Sequence, residues 1–258
     1  MDEAWVRALV ALPFGLVVGS FMTVAVHRLP RGESVVAPRS RCPACGTTIA
    51  SRDNVPVVSW LLLRGRCRAC GEPIPVTYPL LELATAGLVV LAAIRFRDPW
   101  AGGLVAGLLA LMPGIALIDL RHRIIPNRLT YPALLVAAAA IVLGWALGAP
   151  LEPLRAAVGL ALYGGTLFVV AIVSRGMGMG DVKLAALIGL VLGSLALRFV
   201  GVAAGSAIVL GGVGGVVALA LGKSRKSAIP FGPYLAAGAV VGGLWGEPIA
   251  SWYLDRFL

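Results

Sequence analysis

Acidic residues are scarce in this chain: 12 Asp and Glu stand against 22 Lys and Arg among 258 residues. Histidine is rarer still, with two, and cysteine stops at four. Charged residues make up only 13%, where soluble domains carry ~25%. With 59% hydrophobic residues and a mean hydropathy of +0.92, this composition excludes an ordinary soluble domain. No H-E-x-x-H is present, which removes the usual helical zinc-hydrolase set. No glycine-rich nucleotide fold is evident either.

What is abundant is apolar sequence, gathered into long runs at 5–26, 79–94, 100–118, 129–149, 154–174, 182–197, 199–221 and 229–246. A helix needs ~20 apolar residues to cross ~30 Å of hydrocarbon. The runs therefore predict an all-α polytopic membrane protein of about eight transmembrane helices, with a merger or split between 182 and 221 as the sensitive point. The first run lacks a preceding basic stretch and a small-residue cleavage site, so it is expected to be a retained helix. The charges set the orientation. With the N-terminus outside, the inside loops 28–78, 120–128, 175–183 and 222–228 hold 16 of the 22 basic residues. That is the positive-inside pattern of an inner membrane, with both termini outside. The net charge of +10 is then explained by the lipid bilayer and calls for no nucleic acid. Three parts follow: a first helix at 1–27, a cytoplasmic loop domain at 28–78, and a core of about seven helices at 79–258.

All four cysteines lie in the first loop. Cys42-Pro-Ala-Cys45-Gly46 and Cys67-Arg-Ala-Cys70-Gly71 are matched knuckles separated by 21 residues. Each turns sharply enough to aim two thiolates at one ion, and four thiolates make a closed, structural zinc site. Two disulfides are the competing reading, disfavoured in a reducing cytoplasm. The loop is rich in Pro, Arg and Gly, and a metal would replace the core it cannot build.

Three acids fall at membrane boundaries: Glu82, Asp119 and Asp181. Ionisable groups there are costly and mark function by default. Asp119 closes a helix running inward and Asp181 opens one running outward, so both arrive at the cytoplasmic face on different helices. Two carboxylates brought close share a proton. The charged one can then draw a proton from water while the protonated one polarises a peptide carbonyl. Gly176, Gly178 and Gly180 precede Asp181, allowing irregular backbone that faces protein or a water-filled cavity. The plainer reading of Asp181 is a helix N-cap. Arg121, Arg123 and Arg128 read as head-group anchors, Pro126-Asn127 as a turn, and His27 and His122 as interfacial. Glu82 is equally a first-turn acid favoured by the helix dipole or a third acid in the same cavity.

These residues resemble the type IV prepilin peptidase family, a group of GxGD-type membrane aspartyl proteases. The resemblance rests on Gly19-Ser-Phe, His27 to Ser34, the cysteine knuckles, Asp53 to Trp60, Tyr78 to Glu82, Asp119 with Ile125-Pro-Asn127, and Gly178-Met-Gly-Asp181-Val-Lys183. It is close over about 19–183. It implies cleavage of a short basic leader from prepilins or pseudopilins after Gly, at the cytoplasmic face. Methylation of the new N-terminal residue by S-adenosylmethionine follows. Asp119 and Asp181 are then the catalytic pair, Cys42, Cys45, Cys67 and Cys70 the metal ligands, and Glu82, Gly178, Gly180 and Lys183 candidates for the substrate or methyl-transfer site. Thr23 and Thr77 depart from the family's usual Asn and Arg, and both flank the cysteine loop. The rival readings are a transporter or channel with Glu82, Asp119 and Asp181 as a proton relay, a zinc-dependent hydrolase, and a membrane anchor that binds partners through its zinc loop. The first requires internal repeats and mid-bilayer acids, and neither is evident.

Overall fold

The computed structural model describes residues 3–174, 176–222 and 230–257. Arg175 and the basic residues expected at 222–228 therefore lie outside the described residues. Eight long helices account for all eight apolar runs: α1 (Glu3–Arg28), α3 (Thr77–Arg95), α4 (Pro99–His122), α5 (Asn127–Ala146), α6 (Pro153–Ser174), α7 (Met179–Leu195), α8 (Leu197–Ala220) and α9 (Gly232–Phe257). A five-residue helix, α2 (Val58–Leu62), sits in the loop after α1. No strand forms among the described residues.

Six of the eight are long and apolar enough to cross a membrane: α1, α3, α4, α5, α6 and α8. By length and composition alone, six of the expected eight spans are supported. Helix α7 has only 17 residues, and α9 is diluted by glycine, tryptophan, Glu247 and its charged end. Helix α9 also outlasts the apolar run predicted at 229–246, continuing through Pro248 to Phe257.

The helix ends have local causes. Asp98 caps α4 by accepting the Ala101 N–H at 2.8 Å, with Pro99 in the first turn where its missing N–H costs nothing. Arg123 takes a left-handed conformation (φ 55°) and stops α4, its N–H donating to the Asp119 carbonyl at 2.8 Å. Pro126, with φ of −67°, then leads into α5. The sensitive point between α7 and α8 is a true break: Ala196 is extended (φ −167°, ψ 148°). The carbonyls it frees find partners, Ser194 from the Glu152 N–H at 2.9 Å and Leu195 from Arg155 at 3.3 Å.

Packing is closest in three pairs, α1 with α3, α6 with α7, and α8 with α9. Helices α4 and α7 are the most thoroughly buried, and they carry Asp119 and Asp181. Small residues set the approach, as expected where close van der Waals contact drives association. A Cβ at Gly159 would lie 2.3 Å from the Gly189 carbonyl oxygen. Gly159→Val is therefore expected to destabilise the bundle by about 3 kcal/mol or more, read as a lower melting temperature in detergent. An unchanged transition would contradict this crossing. Large apolar side chains such as Leu135, Val136, Val173, Val209 and Val216 remain exposed, forming a surface suited to lipid.

Hydrogen bonds sort the helix termini into two ends. At one, Arg128 at the start of α5 donates to the Gly32 carbonyl just past α1 (3.2 Å), and Lys183 of α7 donates to Asn127 of α5 (2.9 Å). At the other, Arg95 reaches the Leu244 carbonyl at 3.1 Å and Arg7 the Phe96 carbonyl, and Arg198 pairs with Glu247 at 2.6 Å.

Candidate active site

Asp119 occupies the last turn of α4, where the helix dipole disfavours an acid. Its side chain is 5% exposed. The compensation comes from far along the chain: the backbone N–H of Gly232, the first residue of α9, donates to Oδ2 at 2.9 Å. A helix N-terminus thus faces the carboxylate with an N–H that has no partner inside its own helix. The contact requires glycine, because a Cβ at Gly232 would stand 2.7 Å from that Oδ2.

Asp181 sits in the first turn of α7 and is half-buried. The helix begins from Gly178, so Asp181 is not the N-cap that the plainer reading proposed. Its carboxyl lies near enough to Asp119 for the two charges to interact. The predicted convergence of the two acids from different helices is therefore present. Gly178 approaches Asp181 closely, a Cβ there standing 3.5 Å from Oδ2. Gly180 presses on Ile125, with a would-be Cβ 2.9 Å from the Ile125 Cβ. The Lys183 ammonium bonds Asn127 and lies 4.9 Å from the Tyr131 ring centroid. These contacts join the segment around Asp181 to Ile125-Pro126-Asn127, just after Asp119. Two motifs distant in sequence form one unit.

Glu82 is elsewhere. It is 7% exposed and accepts the Val57 N–H at 2.7 Å, and it lines a cavity of about 510 Å³ beneath the cysteine loop. Neither Asp119 nor Asp181 lines that cavity. The reading of Glu82 as a third acid in the same cavity is thus corrected, because Val57 in the loop draws it to the α1–α3 face. A three-acid proton relay loses its shared space for the same reason.

The cysteine knuckles superimpose in their bonding. In each, the first Cys accepts from the following Gly N–H at 2.9 Å (Gly46 to Cys42, Gly71 to Cys67), and both glycines have φ of +72°. That left-handed conformation is one L side chains rarely adopt. The four cysteines are free thiols, and their sulfurs all lie within 4.8 Å of one another. A tetrahedral zinc with Zn–S of ~2.3 Å needs sulfurs roughly 3.8 Å apart. The Cys42–Cys70 pair is at 3.9 Å, so the set fits such an ion. Without metal the thiols cannot all ionise together. The Thr47 hydroxyl bond lowers Cys45 to about 6. Against the Glu72 backbone bond, burial and the other sulfurs push Cys70 up to about 12. Beside this cluster, Arg68 and Asp53 form a two-pronged ion pair at 2.7 and 2.8 Å across the loop.

Three participants escaped sequence reasoning. Gly232 carried a weak signal, a glycine between Phe231 and Pro233 at the start of α9. Ser20 and Val57 lie inside the matched stretches Gly19-Ser-Phe and Asp53 to Trp60, but nothing local tied either to Glu82.

Helices of this length and polarity define a multi-pass membrane protein, with Asp119 and Asp181 within electrostatic reach of each other at one end. Known sequences narrow this further. A family model described as "Type IV leader peptidase family" matches residues 104–218, and one described as "Bacterial Peptidase A24 N-terminal domain" matches 13–96. The chain is 34% identical over 281 residues to the prepilin leader peptidase/N-methyltransferase of Aeromonas hydrophila, covering 98% of this chain and 96% of that protein. It is 35% identical over 249 residues to the protein of that name from Bacillus subtilis (strain 168), covering 95% and 97%. A Myxococcus xanthus relative is 48% identical over 136 residues, 52% of this chain and 39% of that protein. No solved structure matches. The chain belongs to the type IV leader peptidase family.

Proposed function

We propose that this protein is a bifunctional prepilin leader peptidase and N-methyltransferase of the bacterial inner membrane. The observation that carries the reading is the pairing of Asp119 and Asp181 at one end of the bundle, inside the segment matched by the peptidase family. One carboxylate takes a proton from water, and the other, protonated, donates to the scissile carbonyl; the peptide bond is cut with no covalent intermediate. Gly178 and Gly180 keep side chains away from that space, and Lys183 holds α7 against α5. The substrates are prepilins or pseudopilins, and S-adenosylmethionine supplies the methyl group for the new N-terminus.

All eight long helices cross the bilayer, with α7 spanning by local thinning and α9 by its length. Both termini lie outside, and the aspartate end faces the cytoplasm, as the Lys and Arg distribution requires. The chain divides into the first helix at 1–27, the loop domain at 28–78 and the protease core at 79–258. Cys42, Cys45, Cys67 and Cys70 hold a structural zinc. The test is direct: full-length protein in liposomes should cut a prepilin-like peptide after its leader glycine and methylate the product. Failure to cut would overturn the reading.

A second measurement concerns the metal. The purified protein should carry one zinc per chain, and Cys42→Ser should lose it and expose residues 40–75 to limited proteolysis. Structural zinc contributes ~10–16 kcal/mol in small domains, so local unfolding should be complete. Zinc retained by the variant would contradict the assignment.

A further inference from the structure

Helix α2 (Val58–Leu62) has its polarity inverted for a segment facing water. Its buried side is polar: Ser59 accepts the Val55 N–H at 2.9 Å and donates to the Arg52 carbonyl at 3.0 Å. Its outward side is apolar. Val58, Leu61 and Leu62 stand at i, i+3 and i+4 on one turn, with Leu62 76% exposed. Single exposed apolar residues are ordinary, but three on one turn make a patch that a partner covers.

The turn is held firmly. Trp60 donates Nε1–H to the Ile74 carbonyl at 3.0 Å, and its ring lies against Gly65, where a Cβ would stand 3.0 Å from the indole. Arg64 and Gly65 are both left-handed (φ 53° and 67°), so the chain reverses directly after the helix. Its height is set as well. Val57, immediately before α2, donates its N–H to Glu82 at 2.7 Å, and Ser20 of α1 bonds the same carboxyl. Val57 has φ of 60°, uncommon for a β-branched residue, so this contact fixes a backbone that would otherwise relax. Glu82 is the sixth residue of α3, about 7.5 Å along a helix long and apolar enough to span. Helical side chains lean toward the helix start, so α2 is held level with the first turns of α3. Val58 and Leu83 adjoin the bonded pair, and Leu80 lies one turn earlier on α3; all three are exposed. The apolar side of α2 therefore continues the lipid-facing surface of α3.

We propose that α2 is an interfacial anchor. It inserts its apolar turn into the boundary between headgroups and acyl chains at the aspartate end of the bundle, and its partner is the phospholipid surface itself. Interfacial segments bury an apolar side ~5–10 Å deep and keep basic residues at the headgroups. Arg64 and Arg66, exposed just past α2, supply these. The ion pairs among the described residues are Arg68 with Asp53 and Arg198 with Glu247, which leaves both guanidiniums for lipid phosphate. The cysteine knuckles are thereby moored twice, to α3 through Glu82 and to the membrane surface through α2.

Photocrosslinking of the full-length protein in phosphatidylcholine vesicles tests this. p-Benzoylphenylalanine in place of Leu62 should yield protein joined to one phospholipid, about tenfold more than the same probe in place of Ala44, exposed at the tip of the first knuckle. A lipid yield at Leu62 no greater than at Ala44 would overturn the proposal. A Leu62 crosslink to a second protein chain in place of lipid would overturn it too, making the turn a contact between copies. A probe-free variant gives a second reading. Leu61→Asp combined with Leu62→Asp should speed amide hydrogen exchange across residues 55–64 by about tenfold in vesicles, at the wild-type melting temperature. Exchange at the wild-type rate would show that lipid holds nothing there, and the anchor would fall.

Discussion

Asp119→Asn and Asp181→Asn should each reduce leader cleavage by about a hundred- to ten-thousandfold, the worth of positioned acid–base groups. Neither substitution changes shape or removes a helix contact, so the proteins should insert and melt as wild type does. At Asp119 the amide oxygen can still accept the Gly232 N–H, so the loss reports proton transfer rather than a collapsed site. The double variant should be scarcely worse than either single one, because residues that act as a unit are not additive. Full cleavage by either single variant, measured on a purified peptide, would remove the dyad from the mechanism.

The second large effect comes from a residue with no side chain. Gly232→Ala adds a methyl group 2.7 Å from Asp119 Oδ2 and 2.9 Å from its Cγ, closer than real Cβ contacts allow. The carboxylate must swing away, losing the 2.9 Å bond and its alignment with Asp181. Misplacement of a reacting group by about 1 Å can cost a hundredfold in rate. A hundredfold fall in kcat is thus expected, with KM altered much less. Gly215→Ala is the control: nothing lies within 4 Å of a Cβ there, and alanine is the better helix former. It should cleave as wild type does. Equal activity in the two variants would show that the Gly232 contact does not position Asp119.

These two predictions differ in how far the sequence foretold them. The meeting of Asp119 and Asp181 at one end of the bundle was legible because each bounds a long apolar run, and the alternation of helices brings those bounds to one face. The cysteine knuckles were legible for a similar reason, since spacing and the following glycine are local properties. All eight runs became helices, and even the break at Ala196 fell within the region marked as sensitive. Gly232 was not legible as a partner of Asp119. The two are 113 residues apart, and no periodicity relates a helix start to another helix's last turn. Glu82 was seen but misplaced, because its destination depends on the Val57 N–H in a loop with no periodic pattern. The length of α9 was underestimated because hydropathy falls at Gly246-Glu247-Pro248, whereas the helix continues through Pro248 to Phe257.

The three intimate helix pairs are each near neighbours along the chain: α1 with α3, α6 with α7, and α8 with α9. Such an arrangement suits assembly during synthesis, each pair closing soon after its second member leaves the ribosome. Asp119 is different, because the N–H that seats it belongs to α9, which is made after both aspartates. A nascent chain therefore carries both aspartates before α9 exists to seat Asp119. With the proposed dyad as the hydrolytic centre, order of translation acts as a safety catch, since proteolytic competence then arrives only with the docking of α9.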